Sequence, residues 1–429
     1  MKNFFKLTNR KLILILILLF IGRIILTFLF SHSDAVSFYY WGKHLWENGF
    51  LEFLGKGVPN AMDAYYPPIA YYLLFLTRGL YVLIYKVFWQ INLMIPIFPS
   101  NFIFWFETEK VGFAINKLPG IISDFGIAFL IYLIVKKIGQ IKLAIPAALA
   151  YLATPAVWYN SSLWGQNDSF CYFFVLLSFW LLLRNKILFS MIVFSLSIFT
   201  KQTVIIALPV FSIFLLKKAK LKEIFLGILL FIAIAFILYF PFQPINTLSW
   251  ALTHYIKSFQ GEINYMVANA FNFWALLFGF DNRPDMTILF GLPLFIWGMS
   301  IFIIFAGLIL LKSLKLKKDS CFFIASFLLT FAAFLFMPKM HERYFYPALV
   351  FGAIVGGFNK KWYGLFWLIS IIHFLNLYHF WWFPRISFLI AMLSNLLIVK
   401  SIIIVSLVIF IYFLFQFLRS KNDSFCYHR

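Results

Sequence analysis

The chain has 429 residues, of which 63% are hydrophobic and 12% are charged, and its formal net charge is +21. A soluble domain is roughly half apolar and about a quarter charged, so this composition excludes a soluble enzyme, a disordered chain and a fibrous protein. It predicts an all-α, polytopic membrane protein whose basic residues mark cytoplasmic loops, which explains the positive charge more simply than nucleic-acid binding does.

The first predicted element is a helix from Leu12 to Phe30, which is long enough to cross a membrane. The basic residues that precede it are Lys2, Lys6, Arg10 and Lys11. No small-residue cleavage site follows, so we expect a retained helix that begins in the cytoplasm. The long acidic stretch from Ser31 to Tyr65 is then expected on the outer side.

Basic clusters along the rest of the chain predict which loops are cytoplasmic. They lie at 136–142, 184–186, 217–222, 312–318, 360–361 and 419–421. An even number of crossings must separate neighbouring clusters, which predicts spans near 66–86, 87–106, 117–135, 143–159, 169–184, 187–200, 203–216, 223–240, 286–311, 320–337, 344–359, 362–382 and 386–418. With the first helix they form a transmembrane helix bundle of about fourteen crossings, with outer-face loops, short interfacial helices and both termini in the cytoplasm.

This topology places the polar clusters of the chain on one face, the outer one. They are Asp34, Asp63, the segment 166–168, Lys201 with Gln202, and the segment 341–343. The chain has no soluble segment that could form a separate nucleotide-binding domain and no GxxxxGK[ST] motif. ATP-driven transport within this chain is therefore not expected.

Two carboxylates of the first outer loop are candidates for chemistry. Asp34 is either a general base for an attacking hydroxyl, a role worth about 10²–10⁴-fold in rate, or a helix N-cap. Asp63 precedes the sequence Tyr65-Tyr66-Pro67-Pro68, and it either binds sugar hydroxyls or belongs to a capping turn at the start of a helix. Spacing alone leaves both alternatives open.

The turn that contains Gln166 and Asp168 offers hydrogen-bond donors and acceptors for vicinal hydroxyls. It is either a sugar-binding turn, with Trp158 and Trp164 as stacking faces, or a plain polar turn. Gln202, which follows Lys201, is a further candidate for contact with sugar or acceptor. These residues are expected to lie on the outer side of the membrane.

Lys201 lies between two apolar runs, with no other charge from Ile187 to Leu216. An ionisable group at membrane depth usually has a partner, so it either binds a phosphate at headgroup level or extends its amine to the interface. Arg343 can bind phosphate through two hydrogen bonds, and His341 is a second candidate for the same phosphate. The alternative for the segment 341–343 is a Glu342–Arg343 ion pair in a loop.

Several of these segments together resemble the GT-C superfamily of membrane glycosyltransferases. The matching segments are the first helix with its early outer Asp, YPP, KLPGIISDFG, WGQND, TKQT, NAFNFW and MPKMHERYFYP. The pattern is most similar to bacterial relatives of the mannosyltransferase that adds the second mannose in GPI-anchor synthesis, and it extends from about Arg10 to Pro347. From it we assign residues 1–359 to a GT-C-like transmembrane catalytic module and 360–429 to C-terminal transmembrane helices of unassigned role.

The resemblance implies inverting transfer of a hexose, such as mannose, from a polyprenyl-phosphate donor to a glycan, lipid or protein acceptor at the outer face of the plasma (inner) membrane. It assigns the catalytic carboxylate to Asp34 and the donor-phosphate contacts to Lys201 and Arg343. Roles for Gln166, Asp168 and His341 are assigned more loosely, and the second carboxylate is either Asp63 or Asp168. No metal, cofactor or nucleic-acid partner is expected. The rival interpretations are a lipid-linked-glycan flippase or solute transporter and a polyprenyl-binding scaffold.

Overall fold

A computed structural model of the protein describes residues 9–51, 53–55, 57–260 and 263–420. The basic residues Lys2, Lys6 and Lys421 lie outside the described residues. The described chain is nearly all helical. Its α-helices are α1 (Asn9–Thr27), α2 (Ser33–Asn48), α3 (Pro68–Met94), α4 (Ser100–Glu107), α5 (Glu109–Ile138), α6 (Ile141–Ala153), α7 (Pro155–Trp158), α8 (Asp168–Leu183), α9 (Ile187–Ile198), α10 (Leu208–Leu216), α11 (Leu221–Tyr239), α12 (Thr247–Gln260), α13 (Phe273–Phe278), α14 (Leu294–Lys315), α15 (Asp319–Phe336), α16 (Tyr346–Gly356), α17 (Lys360–Tyr378), α18 (Ser387–Leu393) and α19 (Leu396–Arg419).

Irregular helices and very short strands complete the fold. A π-helix spans Tyr159–Trp164, and 3₁₀ helices span Gln202–Ala207 and Glu342–Phe345. The strands are β1 (Val267–Ala268), β2 (Ile288–Leu289), β3 (Leu292–Pro293) and β4 (Met340–His341). β1 pairs in parallel with β4, while β2 and β3 form an antiparallel hairpin.

Several helices have the length and composition of membrane spans. Six described helices meet both criteria, namely α3, α5, α11, α14, α15 and α19, and the bent pair formed by α6 and residues 155–164 makes a seventh. A helix satisfies its own backbone hydrogen bonds, so it can lie in lipid without exposing unpaired polar groups. This confirms the predicted fold class, a helical membrane protein, at that level of detail.

The predicted spans 66–86 and 87–106 do not exist as two elements. One helix, α3, runs without a break from Pro68 to Met94, and only the eight-residue α4 follows before α5 begins. α3 ends where it does because Pro96 disfavours helical geometry at the residue before it, Ile95, which is extended. The sequence has no comparable breaker near Lys86, so the predicted boundary there was wrong.

The basic helix ends meet at one end of the bundle. Lys217 donates to the carbonyl of Leu314 at 2.9 Å, and Lys312 donates to that of Leu418 at 3.2 Å. Lys218 forms an ion pair with Asp319 at 3.0 Å. These contacts join loops that the sequence analysis had assigned to one side of the membrane. The candidate residues lie among the opposite helix ends.

The core is built around α15, in which all but the first residue are buried. A single cluster of buried apolar side chains includes residues of α5, α8, α15 and α16, and it continues into α17 and α19. The C-terminal helices therefore pack against the same core as the rest of the chain. This packing brings the segment 379–386, which connects α17 to α18, next to the candidate site.

Candidate functional site

Asp34 lies in the first turn of α2, but it does not cap that helix. The N-cap is His32, whose Nδ1 accepts the backbone N–H of Asp34 at 3.0 Å. The alternative that Asp34 is an N-cap is therefore wrong. Its carboxylate is buried, with 7% of the residue exposed, and faces the interior of the bundle instead.

The Asp34 carboxylate is held by three donors from two distant parts of the chain. Arg343 Nη1 lies 3.0 Å from Oδ2, Trp164 Nε1 donates to the same oxygen at 3.1 Å, and Gln166 Nε2 donates to it as well. His32 Nδ1 lies 3.4 Å from Oδ1. Burial alone would raise the pKa of Asp34, but the Arg343 guanidinium and the contacts with His32 and Trp164 outweigh it and hold that pKa below its usual range. Asp34 is therefore ionised at neutral pH.

The π-helix and a left-handed glycine bring Trp164 and Gln166 to Asp34. Gly165 ends the π-helix with φ +89°, a conformation that side chains rarely adopt. A Cβ atom at this position would lie 2.9 Å from the Ala35 side chain. π-helical turns are frequent at functional sites, and here the turn is folded into the bundle. The side chains of Gln166 and Asp168 in this turn are thus buried.

Lys201 forms a second buried ion pair beside the first. Its Nζ lies 2.5 Å from Asp168 Oδ1, and Asn160 donates to the other carboxylate oxygen at 3.3 Å. Only 4% of Lys201 is exposed, so the alternative in which its amine extends to the interface is wrong. Lys201 Nζ also lies 5.8 Å from the centre of the Tyr66 ring, within the range of a cation–π contact.

A small cleft, open to solvent, lies beside Lys201 and Gln166. Gln166, Asn167, Thr200 and Lys201 form its polar side. The opposite side is aromatic and aliphatic, and consists of Phe38, Tyr66, Ala70, Leu73 and Leu74. Gln166 also donates to Asp34, so it links the cleft to the first ion pair. Its lining suits a molecule with a polar, anionic head and an apolar body.

Buried polar atoms without a protein partner surround the two ion pairs. They include Arg343 Nε, Gln166 Oε1, Asn167 Oδ1 and Asn160 Oδ1. A buried polar group that lacks a hydrogen bond costs about 1–3 kcal/mol. A cluster of such groups is expected where a polar ligand or ordered water supplies the missing bonds.

The segment 341–343 approaches the site through the parallel pairing of β1 with β4 and the 3₁₀ helix that follows. Arg343 turns toward Asp34, so the predicted alternative of a Glu342–Arg343 ion pair is wrong. His341 Nδ1 instead lies 3.6 Å from Glu342 Oε2. Arg343 also lies 5.9 Å from the centre of the Trp164 ring. Arg343 is the member of this segment that contacts Asp34.

Two predicted residues lie apart from the ion pairs. Asp63 is exposed and accepts a hydrogen bond from Tyr65 at 3.0 Å. Gln202 Nε2 donates to the carbonyl of Ser258 on α12 at 3.1 Å, so its amide nitrogen points away from the cleft. Of the two carboxylates proposed to assist Asp34, Asp168 is the one that adjoins the cleft.

Three contributing residues were not predicted from the sequence. His32 precedes Asp34 by two residues, but histidine is not a common N-cap and gave no signal. Trp381 stacks on Trp164 with ring centroids 4.2 Å apart and on His32 at 4.0 Å. Lys117 is a cation within an apolar run, as Lys201 is, and the same rule would have singled it out.

The donor set of the site contains carboxylates, cations and amides. Within the described residues, no group of three or more His, Cys, Asp or Glu side chains is arranged to hold a metal ion. The chain matches no protein-family model, and no curated protein matches it.

Proposed function

We propose that the chain is a membrane glycosyltransferase that transfers a hexose, such as mannose, from a polyprenyl-phosphate donor to a hydroxyl acceptor. The observation behind this proposal is the cleft itself. A buried, ionised carboxylate paired with Arg343 lies beside the buried Lys201–Asp168 pair, and Lys201 lines a cleft with one polar and one apolar side. A lipid-linked sugar phosphate has the complementary parts, namely an anionic phosphate, a hydroxyl-rich ring and an apolar chain.

In the proposed reaction Asp34 is the general base. The acceptor oxygen attacks the anomeric carbon from the face opposite the phosphate, and its proton passes to Asp34. The bond between the anomeric carbon and the phosphate oxygen breaks, and polyprenyl phosphate leaves with the electron pair. Lys201 and Arg343 stabilise the negative charge that develops on the leaving phosphate. The configuration at the anomeric carbon is inverted.

Both proposed phosphate ligands are already paired with carboxylates. A donor phosphate would compete with Asp34 for Arg343 and with Asp168 for Lys201. Loss of Arg343 as a partner raises the pKa of Asp34, because that guanidinium is the main group that favours the charged form. Donor binding would thereby make Asp34 a stronger base at the moment when the acceptor needs one.

The topology that accompanies this proposal has the site on the extracytoplasmic side and both termini in the cytoplasm. The crossing segments are α1, α5, α6 with residues 155–164, α8, α9, residues 202–216, α11, α14, α15, α16, α17 and α19. This gives about twelve crossings instead of about fourteen, of which α5, α11, α14, α15 and α19 have the length and composition of full membrane spans.

Helix α3 is excluded from these crossings although its composition suits one. Tyr81, midway along α3, donates to the carbonyl of Glu107 at 3.1 Å, just before α5 begins. Lys117 on α5 in turn contacts the end of α1. The eight residues of α4 rise only about 12 Å, too little to return the chain across the bilayer, so both ends of α3 lie on the outer side.

Cysteine labelling tests this topology. Ile97, in the turn between α3 and α4, is 90% exposed, and Ile97→Cys should react with a membrane-impermeant maleimide on intact cells. A cysteine at Lys142, which lies at the basic end of the bundle, should react only after permeabilisation. Protection of position 97 until permeabilisation would mean that α3 crosses the membrane.

The activity is tested with the full chain in lipid nanodiscs. Polyprenyl-phosphate mannose, glucose and galactose serve as donors, and membrane lipids from cells that lack the protein serve as acceptors. Mass spectrometry should detect a new glycosidic bond, and Asp34→Asn should lower the rate by about 10²–10⁴-fold. Asp281→Asn, an exposed aspartate on the outer side, is the matched control and should leave the rate unchanged.

Each negative outcome has a different meaning. Full activity of Asp34→Asn would rule out its role as the base. Absence of transfer from every donor by the unmodified chain would contradict the glycosyltransferase proposal. Movement of donor lipid between leaflets without a new bond would instead indicate a flippase.

A further inference from the structure

Lys117 is a fully buried cation without a carboxylate partner among the described residues. It lies on α5, and 1% of its surface is exposed. Its three ammonium protons point to three backbone carbonyls, those of Thr27 at 3.1 Å, Phe30 at 2.5 Å and Leu163 at 3.1 Å. All the hydrogen bonds that an ammonium group can donate are therefore made to main chain.

These carbonyls belong to the two segments that build the Asp34 site. Thr27 and Phe30 lie at the end of α1, where carbonyls lack partners within the helix. Leu163 belongs to the π-helix, directly before Trp164, which donates to Asp34. Lys117 is thus the common partner of the segment that leads into Asp34 and the segment that supplies its hydrogen-bond donors.

The packing around Lys117 leaves little freedom in this arrangement. A Cβ atom at Gly165 would lie 3.1 Å from Cγ and Cε of Lys117 and 2.9 Å from the Ala35 side chain. The backbone at Gly165 is therefore held between the Lys117 stem and the first turn of α2. A shift of the Lys117 ammonium group would move both Asp34 and its donors.

Burial of a lysine without a carboxylate partner costs free energy of folding, because the ammonium group loses its hydration and gains only the dipoles of carbonyl groups in return. An apolar residue would pack the same space without that cost. The C-terminal dipole of α1 and the third carbonyl offset part of it. What lysine provides, and an apolar side chain does not, is a set of three donors that fixes the spacing of two segments.

We propose that Lys117 is a positioning residue that sets the distance between Asp34 and its donors Trp164 and Gln166. It touches neither the cleft nor the Asp34 carboxylate. The expected effect on the reaction rate rests on the proposed function. The expected effect on the structure rests on the geometry alone. Misplacement of a catalytic group by about 1 Å can cost about 100-fold in rate.

The experiment compares Lys117→Met, which removes the ammonium group but keeps most of the side-chain length, with Lys117→Gln, which supplies amide donors without charge. Lys117→Met should lower kcat about 10- to 100-fold with the donor KM within about twofold of the original. Loss of the Trp164 and Gln166 donors raises the pKa of Asp34, so the acidic limb of the rate profile should shift to higher pH. Lys117→Gln should recover part of kcat and of the shift. Lys142→Met, at an exposed lysine, is the control.

Hydrogen exchange provides a readout that does not depend on activity. Lys117→Met should lose protection in residues 28–35 and 159–166, while the other helices remain as protected as before. Normal kcat and pH profile in Lys117→Met would overturn the proposal and leave the proposed function intact. If the unmodified chain transfers no sugar, the exchange pattern decides alone, and either unchanged protection or loss throughout the chain would overturn it.

Discussion

Two arginine–aspartate pairs lie in this protein, and their surroundings differ. Arg23 and Asp124 pair at 2.5 Å within the bundle. Tyr151 and Tyr346 each donate to the second Asp124 oxygen at 2.9 Å, so that carboxylate is fully satisfied. The Asp34–Arg343 pair instead adjoins an open cleft, and unpartnered polar atoms surround it. The same two residue types thus form a closed structural contact in one place and an incomplete site in the other.

The difference indicates how a functional ion pair can be recognised in a membrane protein. Burial and short distance do not distinguish the two pairs. What distinguishes them is whether the polar groups around each carboxylate all have hydrogen-bond partners. A site that binds a polar ligand must contain donors or acceptors that are free to bond to that ligand. Arg23 has one unpartnered nitrogen, Nε, but Asp124 is completely buried and leaves no access for a solute.

The largest stability effect is expected at the structural pair. Asp124→Asn leaves the Arg23 charge without a counterion, and breaking a buried pair in this way typically costs about 3–5 kcal/mol. Asp34→Asn should cost much less, because 12% of the Arg343 side chain is exposed and its charge stays partly solvated. Thermal unfolding of both variants in nanodiscs checks this. The double replacement Arg23→Met with Asp124→Leu should recover most of the loss. Equal destabilisation by the two asparagine variants would remove the distinction between the pairs.

A smaller effect, on the pH dependence of the rate, is expected from Arg343→Gln. The pKa of Asp34 rises when this guanidinium is removed, and the general base works only when deprotonated. The acidic limb of the kcat/KM profile, which reports the free enzyme, should therefore shift to higher pH, and the donor KM should rise because a phosphate ligand is lost. Initial rates between pH 4 and 8 measure both. Arg385→Gln, an exposed arginine on the outer side, is the control. An unchanged acidic limb would show that Arg343 does not control the ionisation of Asp34.

Part of this site could be predicted from the sequence because membrane depth makes charges conspicuous. Lys201 stood out since no other charge lies near it in the chain, and an ionisable residue at membrane depth usually has a partner. That Arg343 contacts Asp34 could not be predicted, because the two residues are 309 positions apart and their contact depends on how several helices pack. The resemblance to a family had grouped them, but not as direct partners.

The errors have local causes. The polar residues 166–168 gave no sign of burial, yet a π-helix and the left-handed Gly165 fold this turn into the bundle. The segment 66–106 was divided into two spans because it is long enough for about two crossings. Whether an apolar helix crosses the membrane depends on where the neighbouring helices end. Amino-acid composition carries no information about those positions.

The stacking of Trp381 on Trp164 and His32 has a consequence for the biosynthesis of the protein. The pocket requires residues from the first helical hairpin, the middle of the chain and position 381 of 429. A nascent polypeptide whose last helices are still inside the ribosome lacks the aromatic wall beside Asp34. The enzyme proposed above would therefore become competent only after nearly all of it has been inserted, and a prematurely terminated product would not act on lipid in the bilayer.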